Sequence, residues 1–167
     1  MRRSFPSIAV VGGSLGGLTA ALLLRDVGCE VTVHERSTAE LEARGAGIVV
    51  LPETSRYLVE RVGLPLEAFT CSTERLRYIG TDGSVVYEEE RPYRYSGWRT
   101  IYAALLDAFG RDRYRLGSEV VDLTGDHDRA TVHLADGGSQ TVSLVVAADG
   151  SASRCRQMFF PDIAPEY

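Results

Sequence analysis

Small and acidic residues near the start of the chain have the types and spacing to hold a phosphorylated ligand. Gly12, Ser14 and Gly17 form a G-x-S-x-x-G pattern that follows the apolar run 8–11 and opens an apolar, helix-favouring segment. Glu35 follows a second short apolar run, at about the 20-residue spacing that dinucleotide-binding βαβ units require. The order strand, glycine turn, helix, strand and acid therefore predicts a dinucleotide site.

Each residue type in this pattern has a physical reason. Gly12 lets the backbone turn sharply out of the strand, and Gly17 has no Cβ, so the helix can pack closely on the sheet. The first helical N–H groups have no acceptor inside the helix, and a pyrophosphate suits that positive end of the dipole. The Glu35 carboxylate can accept hydrogen bonds from a ribose diol and would repel a 2′-phosphate. Ser14 stands where a glycine is usual, and a glycine-rich turn that binds no nucleotide stays open as the alternative.

Three further positions are candidates for contact with such a ligand. Arg36 either reaches back to the nucleotide or lies in solvent. The Gly45-Ala46-Gly47 pattern either holds backbone close to a flat ring or leads into a buried strand, and the strand is favoured. Arg99 is expected in the first turn of a helix, where a cation opposes the dipole, so an anionic partner becomes more attractive.

A hairpin and a helix are expected in the middle of the chain. The Asp82-Gly83 turn between two alternating runs predicts a β-hairpin, and residues 88–92 are expected to form a charged, exposed loop after it. Ser96 is expected to cap a helix that ends before Gly110.

The last part of the chain returns to strands. From residue 114 the pattern has period two, which predicts an antiparallel meander that begins with residues 114–116 and is inserted between parallel strands. The unbroken apolar run 144–148 predicts a strand buried on both faces beside the first strand. Asp149 and Gly150 then lie near the glycine turn, because ligands bind beyond the carboxyl ends of such strands.

Composition excludes several other functions. The 167 residues carry a net charge of −5, so no basic stripe is available for nucleic acid or an anionic membrane. No apolar run approaches the length of a membrane-spanning helix, and residues 1–7 are too polar for a signal peptide, so a cytoplasmic protein is expected. Cys29, Cys71 and Cys155 are widely spaced, which favours reduced thiols in the core over a disulfide framework or a metal site. The histidines are scattered and receive no catalytic role.

Taken together, the motifs resemble a known family. The segments GGSLGGLTAA, ERS, GAGI, WRTIY and AADGSASRCR resemble the amino-terminal portion of the FAD-dependent aromatic hydroxylases, flavoprotein monooxygenases related to para-hydroxybenzoate hydroxylase. The nearest likeness is to dihydroxypyridine-hydroxylase-like members, which also carry a serine where Ser14 stands. The resemblance covers essentially the whole chain. It implies a Rossmann-like FAD-binding βαβ sheet with an inserted antiparallel β-meander and a β-hairpin, incomplete relative to the family.

The resemblance implies a role for each candidate near the adenosine diphosphate part of FAD. Residues of the glycine turn would hold the pyrophosphate: Gly12, Ser14, Leu15 and Gly17. Glu35 would bind the adenosine ribose, Arg36 would lie beside the adenine, and the Val120 backbone would touch the adenine.

Four more residues would serve the rest of the cofactor. By the same resemblance, Gly47 would lie near the flavin ring, and Arg99 would approach the FAD phosphate and ribitol. Asp149 and Gly150 match a D-G motif that serves FAD and, in some accounts, the nicotinamide cofactor. No side chain is assigned a catalytic role, because the chemistry in such enzymes belongs mostly to the cofactor.

The implied function is an FAD-dependent, NAD(P)H-using monooxygenase that hydroxylates an aromatic or heteroaromatic small molecule with molecular oxygen. Residues 1–167 would form its FAD-binding domain, and residues 73–95 would begin the substrate-side region. Family members are much longer, so the chain is expected to be a fragment, a truncated product or a minimal half that self-associates or binds a partner chain. Two alternatives stay open: a flavoprotein oxidoreductase without oxygen insertion, and a degenerate nucleotide-binding or interaction module without catalysis.

Overall fold

The computed structural model describes residues 5–41 and 46–163. Its helices and strands are, in chain order, β1 Ser7–Val11, α1 Leu15–Asp26, β2 Glu30–His34, β3 Gly47–Val49, α2 Pro52–Glu60, α3 Leu66–Phe69, β4 Cys71–Ile79, β5 Val85–Gly97, α4 Trp98–Phe109, β6 Tyr114–Arg115, β7 Val120–Gly125, β8 Ala130–Leu134, β9 Ser139–Val142, β10 Leu144–Ala147 and α5 Arg154–Phe159. One parallel and two antiparallel sheets confirm the expected α/β fold class. No helix in the described part of the chain is long and apolar enough to cross a membrane.

The chain divides into two compact units, Met1–Leu41 with Leu105–Tyr167, and Glu42–Ala104. The first unit contains a parallel sheet of strand order β10-β1-β2-β6. The apolar run of β1 is buried, as is typical of a strand covered on both faces. Since β2 lies on one side of β1 and β10 on the other, the carboxyl ends of β1 and β10 flank the point where the strand order reverses, the usual ligand crevice of such sheets.

Helix α1 connects β1 to β2. Its buried residues are Gly17, Leu18, Ala21 and Leu22, which follow one another at helical spacing. The helix ends at Asp26, and Gly28 adopts φ of 94°, as expected for a residue that terminates a helix. The predicted βαβ unit is therefore confirmed.

The antiparallel meander of the first unit has strand order β7-β8-β9. Its buried face packs with Ala9 and Val11 of β1 through Val120, Val132 and Val142. The assignment of residues 114–116 to this meander is wrong, because β6 pairs in parallel with β2. Period-two alternation indicates an extended chain but does not specify the strand that it pairs with.

Strand β10 lies beside β1, as expected, but the prediction that it is buried on both faces is wrong. Leu144 is 50% exposed, and the strand ends on the exposed Ala147. In the described sheet β10 is an edge strand, so only one side of its backbone is paired.

The second unit contains an antiparallel sheet of order β3-β5-β4. The predicted hairpin turn is confirmed, with Gly83 at φ of 81°. The prediction of a loop over residues 88–92 is wrong, because strand β5 continues through these residues. Glutamates of β5 pair with Arg75 and Arg77 across the hairpin. A register shift between Thr73 and Arg75 gives β5 an extra residue there, and this irregularity accommodates Pro92.

Ser96 does not cap helix α4. It lies within β5, and its buried hydroxyl donates a 2.6 Å hydrogen bond to the Phe69 carbonyl. The helix begins at Trp98 and ends at Phe109, before Gly110 at φ of 84°, so its predicted end is confirmed.

Candidate functional site

The glycine turn and the end of β10 lie against each other in the first unit. Gly12 has φ of 102°, and a Cβ there would lie 2.4 Å from the Ala148 carbonyl oxygen and 3.0 Å from the Asp149 Cα. Both the backbone conformation and the space therefore require glycine. The expected proximity of Asp149 to the turn is confirmed.

The first turn of α1 approaches the same backbone. A Cβ on Gly17 would lie 1.8 Å from the Gly12 carbonyl oxygen, whereas a Cβ on Gly16 would meet nothing within 4 Å. The two adjacent glycines thus differ in kind: Gly17 allows the helix to contact the turn, and Gly16 faces open space.

Backbone N–H groups without an acceptor lie at the start of α1. Ser14 has an extended backbone, its carbonyl accepts from the Leu18 N–H at 2.9 Å, and its side chain makes no capping hydrogen bond. Within residues 5–41 and 46–163, the N–H groups of residues 14–17 donate no hydrogen bond. Unpaired N–H groups at the positive end of a helix are suited to an anion.

Glu35 is joined to the glycine turn. Its side chain is buried, with 5% of the residue exposed, and Oε2 accepts a 2.8 Å hydrogen bond from the Gly13 N–H. Oε1 accepts from the Ser37 N–H at 2.9 Å. Each carboxylate oxygen has two lone pairs, so acceptor capacity remains for a ligand hydroxyl. The sequence placed Glu35 at this end of the sheet, but the bond to Gly13 depends on the fold.

The connection between β6 and β7 lies alongside the loop after Glu35. The Ser118 N–H donates to the Glu35 carbonyl at 2.9 Å, and the Gly117 N–H donates to the Ser37 carbonyl at 2.8 Å. Val120 follows at the start of β7 with its side chain in the core, and Arg36 is exposed. These contacts bring the positions predicted for ribose and adenine to one end of the sheet.

Asp149 binds the N-terminal end of helix α5, whose N-cap residue is Ser153. Its Oδ1 accepts from the Ser153 hydroxyl at 2.6 Å, and its Oδ2 accepts from the Cys155 N–H at 3.0 Å. Partial burial alone would raise the pKa of Asp149, but these hydrogen bonds outweigh it and the net shift is downward. Gly150 is exposed at φ of 80°. The carboxylate is thus ionised at neutral pH and holds the chain that follows β10.

The cysteines are not equivalent. Burial, together with the nearby Asp149 carboxylate, raises the pKa of the Cys155 thiol to about 11, so it is not a nucleophile at neutral pH. The expectation of core thiols holds for Cys155 and is wrong for Cys71, which is exposed on β4. In the described part of the chain, no group of three His, Cys, Asp or Glu side chains could hold a metal ion.

Gly47 and Arg99 lie close together in the second unit. Gly47 pairs with Gly97 across β3 and β5, and the Trp98 N–H donates to the Ala46 carbonyl at 3.0 Å. Arg99 follows in the first turn of α4, as predicted, and is exposed. The prediction that this region leads into a buried strand is wrong, because β3 is largely exposed. Gly45 lies outside the described residues.

His34 is a buried polar residue whose position the sequence did not reveal. Its Nδ1 lies 2.7 Å from the Ser118 hydroxyl and its Nε2 lies 2.8 Å from Gln140 Oε1. It therefore links the end of β2 to the β6–β7 connection and to β9. Burial lowers the pKa of His34, the Gln140 hydrogen bond opposes this shift, and the positive charge of Arg115 adds to it.

The lowered pKa of His34 predicts a loss of stability in mild acid. The imidazole is neutral in both the folded and the unfolded chain above about pH 6.5. Below that, the unfolded chain binds a proton more readily, so stability falls as the pH drops through the lower folded pKa. Thermal unfolding at about pH 7.5 and about pH 5.5 should show a larger loss for the wild type than for His34→Gln. His127→Gln, in an exposed turn, is the control, and an equal loss in His34→Gln would contradict this assignment.

The chain matches no protein-family model. It is 38% identical over 161 residues to the 2,6-dihydroxypyridine 3-monooxygenase of Paenarthrobacter nicotinovorans, covering 96% of this chain and 40% of that protein. It is 30% identical over 159 residues to an FAD-dependent urate hydroxylase of Klebsiella pneumoniae, covering 88% of this chain and 41% of the relative. The chain thus spans about two-fifths of the length of these curated relatives.

Solved structures give the same pattern. The 2,6-dihydroxypyridine-3-hydroxylase from Arthrobacter nicotinovorans superposes with a TM-score of 0.91 at 37% identity, covering 98% of this chain and 42% of that one. Klebsiella pneumoniae HpxO complexed with FAD and uric acid superposes with a TM-score of 0.78 at 27% identity, covering 96% and 43% of the two chains. The described fold is therefore shared with part of each of these longer proteins.

Proposed function

The chain is homologous, over about two-fifths of their length, to FAD-dependent aromatic monooxygenases, and from this premise we propose that it binds FAD as the FAD-binding half of such an enzyme. The enzyme would use NAD(P)H and molecular oxygen to hydroxylate an aromatic or heteroaromatic small molecule. The observation that carries the proposal is the buried Glu35 carboxylate, joined to Gly13 beside the free N–H groups of α1.

The glycine turn fits the adenosine diphosphate part of FAD. Gly12 and Gly17 let the turn lie close to the end of β10 and to α1. A pyrophosphate there would accept from the N–H groups of Ser14 and Leu15. Glu35 would accept hydrogen bonds from the ribose diol with its remaining lone pairs.

Residues on either side of this crevice would complete the nucleotide site. Arg36 and the Val120 backbone would lie at the adenine. Asp149 would keep its hydrogen bonds to α5 and so hold the turn at Gly150 beside the glycine turn.

By the resemblance, Gly47 and Arg99 would contact the flavin half of the cofactor. Gly47 and Arg99 belong to one small region, because β3 pairs with the end of β5 and α4 starts directly after it. Gly47 has no side chain to exclude a flat ring, and nothing lies within 4 Å of the position of its Cβ. The exposed Arg99 guanidinium would pair with the phosphate.

The bound flavin would supply the redox and oxygen chemistry. The residues of this chain would bind and orient the cofactor: N–H dipoles would neutralise the pyrophosphate, Glu35 would fix the ribose, and Arg99 would lie beside an anion. We propose that residues 1–167 act as one FAD-binding domain and that residues 73–95 begin the substrate-side region.

FAD binding is the direct test of the proposal. The purified chain mixed with FAD and freed of excess ligand should be yellow, show flavin absorption and lose bound FAD when ADP is added in excess. ADP should compete with FAD because the contacts predicted in the first unit are made to the adenosine diphosphate part of FAD. A colourless chain that binds neither FAD nor ADP would contradict the proposal.

The reaction requires a second measurement. Expressed with whatever further sequence its gene encodes, the protein should consume NAD(P)H and oxygen faster when a hydroxylated or aminated aromatic or heteroaromatic compound is present, and form a hydroxylated product. Flavin reduction without a hydroxylated product would instead favour an oxidoreductase that inserts no oxygen.

We further propose that another polypeptide, a partner chain or a second copy, covers the edge strand β10. The exposed side chains of Leu144 and Phe159 support this, as does an apolar groove of about 360 Å³ whose lining includes Leu123, Val145 and Cys155. Light scattering after size-exclusion chromatography should show a species heavier than the 18.2 kDa monomer. A monomer at all concentrations would exclude self-association.

A further inference from the structure

Tyr114 is a buried residue of β6 that contacts the glycine turn. Its hydroxyl donates a 2.8 Å hydrogen bond to the Gly13 carbonyl, across 101 residues of sequence. Its ring also occupies the space beside Gly13, because a Cβ on that glycine would lie 2.4 Å from the tyrosine oxygen and 2.7 Å from two ring carbons. The nearest atoms that a side chain at Gly13 would meet thus belong to Tyr114.

Both backbone polar groups of Gly13 are hydrogen-bonded to side chains of other elements. Its N–H donates to Glu35 Oε2 at 2.8 Å, and its carbonyl accepts from Tyr114. All three residues are buried. The Gly13 N–H is therefore already engaged by Glu35, so it is Ser14 that supplies the first free N–H of the turn.

The tyrosine hydrogen bond determines where that N–H points. A trans peptide is planar, so the N–H of Ser14 points opposite to the carbonyl of Gly13. With the Gly13 carbonyl directed at the Tyr114 hydroxyl, the Ser14 N–H is directed away from Tyr114. Rotation of this peptide would break the hydrogen bond to Tyr114 and misdirect the free donor.

We infer that Tyr114 is a positioning residue for the pyrophosphate of the bound dinucleotide and acts through the Gly13–Ser14 peptide. The inference rests on the proposed FAD site and adds a residue that no motif in the sequence marks. The tyrosine itself touches no ligand, and its contribution is to keep one N–H donor in the orientation that an anion requires.

Tyr114→Phe tests the inference, because it keeps the ring beside Gly13 and removes only the hydroxyl. The dissociation constants of FAD and ADP should each rise about 3- to 10-fold, the effect of one hydrogen bond. The dissociation constant of adenosine, which lacks the pyrophosphate, should change by less than about 2-fold. Tyr57→Phe is the matched control, since Tyr57 is also buried but lies on α2, and it should leave FAD and ADP affinity unchanged.

The outcomes separate this inference from the proposed function. Wild-type protein that binds neither FAD nor ADP contradicts the proposed function itself. Wild-type protein that binds both, with Tyr114→Phe binding them equally well, contradicts only the role of Tyr114. Equal weakening of FAD, ADP and adenosine would show a general structural role and would also overturn the inference. Gly13→Ala provides a second variant, because its Cβ displaces the tyrosine oxygen, and it should weaken ADP more than adenosine.

Discussion

Gly17→Ala should destabilise the ligand-free protein by about 3 kcal/mol, the upper part of the range for overpacking a buried contact. The added Cβ would lie 1.8 Å from the Gly12 carbonyl oxygen and 3.0 Å from its carbon. Both atoms belong to the backbone, so the overlap cannot be relieved by a side-chain rotation. Helix α1 must move away from β1, which loosens the packing of Leu18 and Leu22. Urea unfolding followed by circular dichroism measures the change.

Gly16→Ala is the matched control for this substitution. Gly16 is the adjacent residue of the same helical turn, and its Cβ would have nothing within 4 Å. Alanine is a better helix former than glycine, so Gly16→Ala should be neutral or stabilise the protein by up to about 1 kcal/mol. Equal losses in the two variants would contradict the close approach of α1 to the glycine turn.

Glu35→Ala should affect both stability and FAD binding. The substitution leaves the buried Gly13 N–H and the partly buried Ser37 N–H without their acceptor, at a cost of about 2–4 kcal/mol in the free energy of unfolding. FAD affinity should fall by about 1–3 kcal/mol, because the ribose loses a charged acceptor and Gly13 loses its anchor. Calorimetric titration with FAD, at a temperature where the variant is folded, measures the second effect.

Glu30→Ala controls for the removal of a glutamate from the same strand. Glu30 begins β2, where its exposed side chain pairs with Arg113 at 3.6 Å. Exposed pairs of this kind contribute at most about 1 kcal/mol, and Glu30 lies at the opposite end of β2 from the glycine turn. FAD affinity should therefore be unchanged in Glu30→Ala. Unchanged affinity in Glu35→Ala would remove Glu35 from the proposed site.

The elements that depend on local signals could be predicted from sequence. Backbone preferences and periodicity within short windows predict the glycine turn, helix α1 and its end before Gly28, the Asp82-Gly83 hairpin and the meander from Val120. The predictions that failed concerned strand pairing, exposure, the loop over residues 88–92 and the cap at Ser96. Tyr114 and Arg115 pair with β2 instead of the meander, and β10 is an edge strand of the described sheet.

The candidate site also has features that the sequence predicts and features that only the tertiary structure shows. Sequence alone determined that a glycine turn and an acid end adjacent strands, because spacing along the chain and the parallel βαβ connection require it. Only the tertiary structure decided that Glu35 binds the Gly13 N–H, that Tyr114 binds the Gly13 carbonyl and that His34 joins Ser118 to Gln140. The physical reason is that these hydrogen bonds join side chains to groups on other elements, and their geometry depends on how strands pack, which no local pattern encodes.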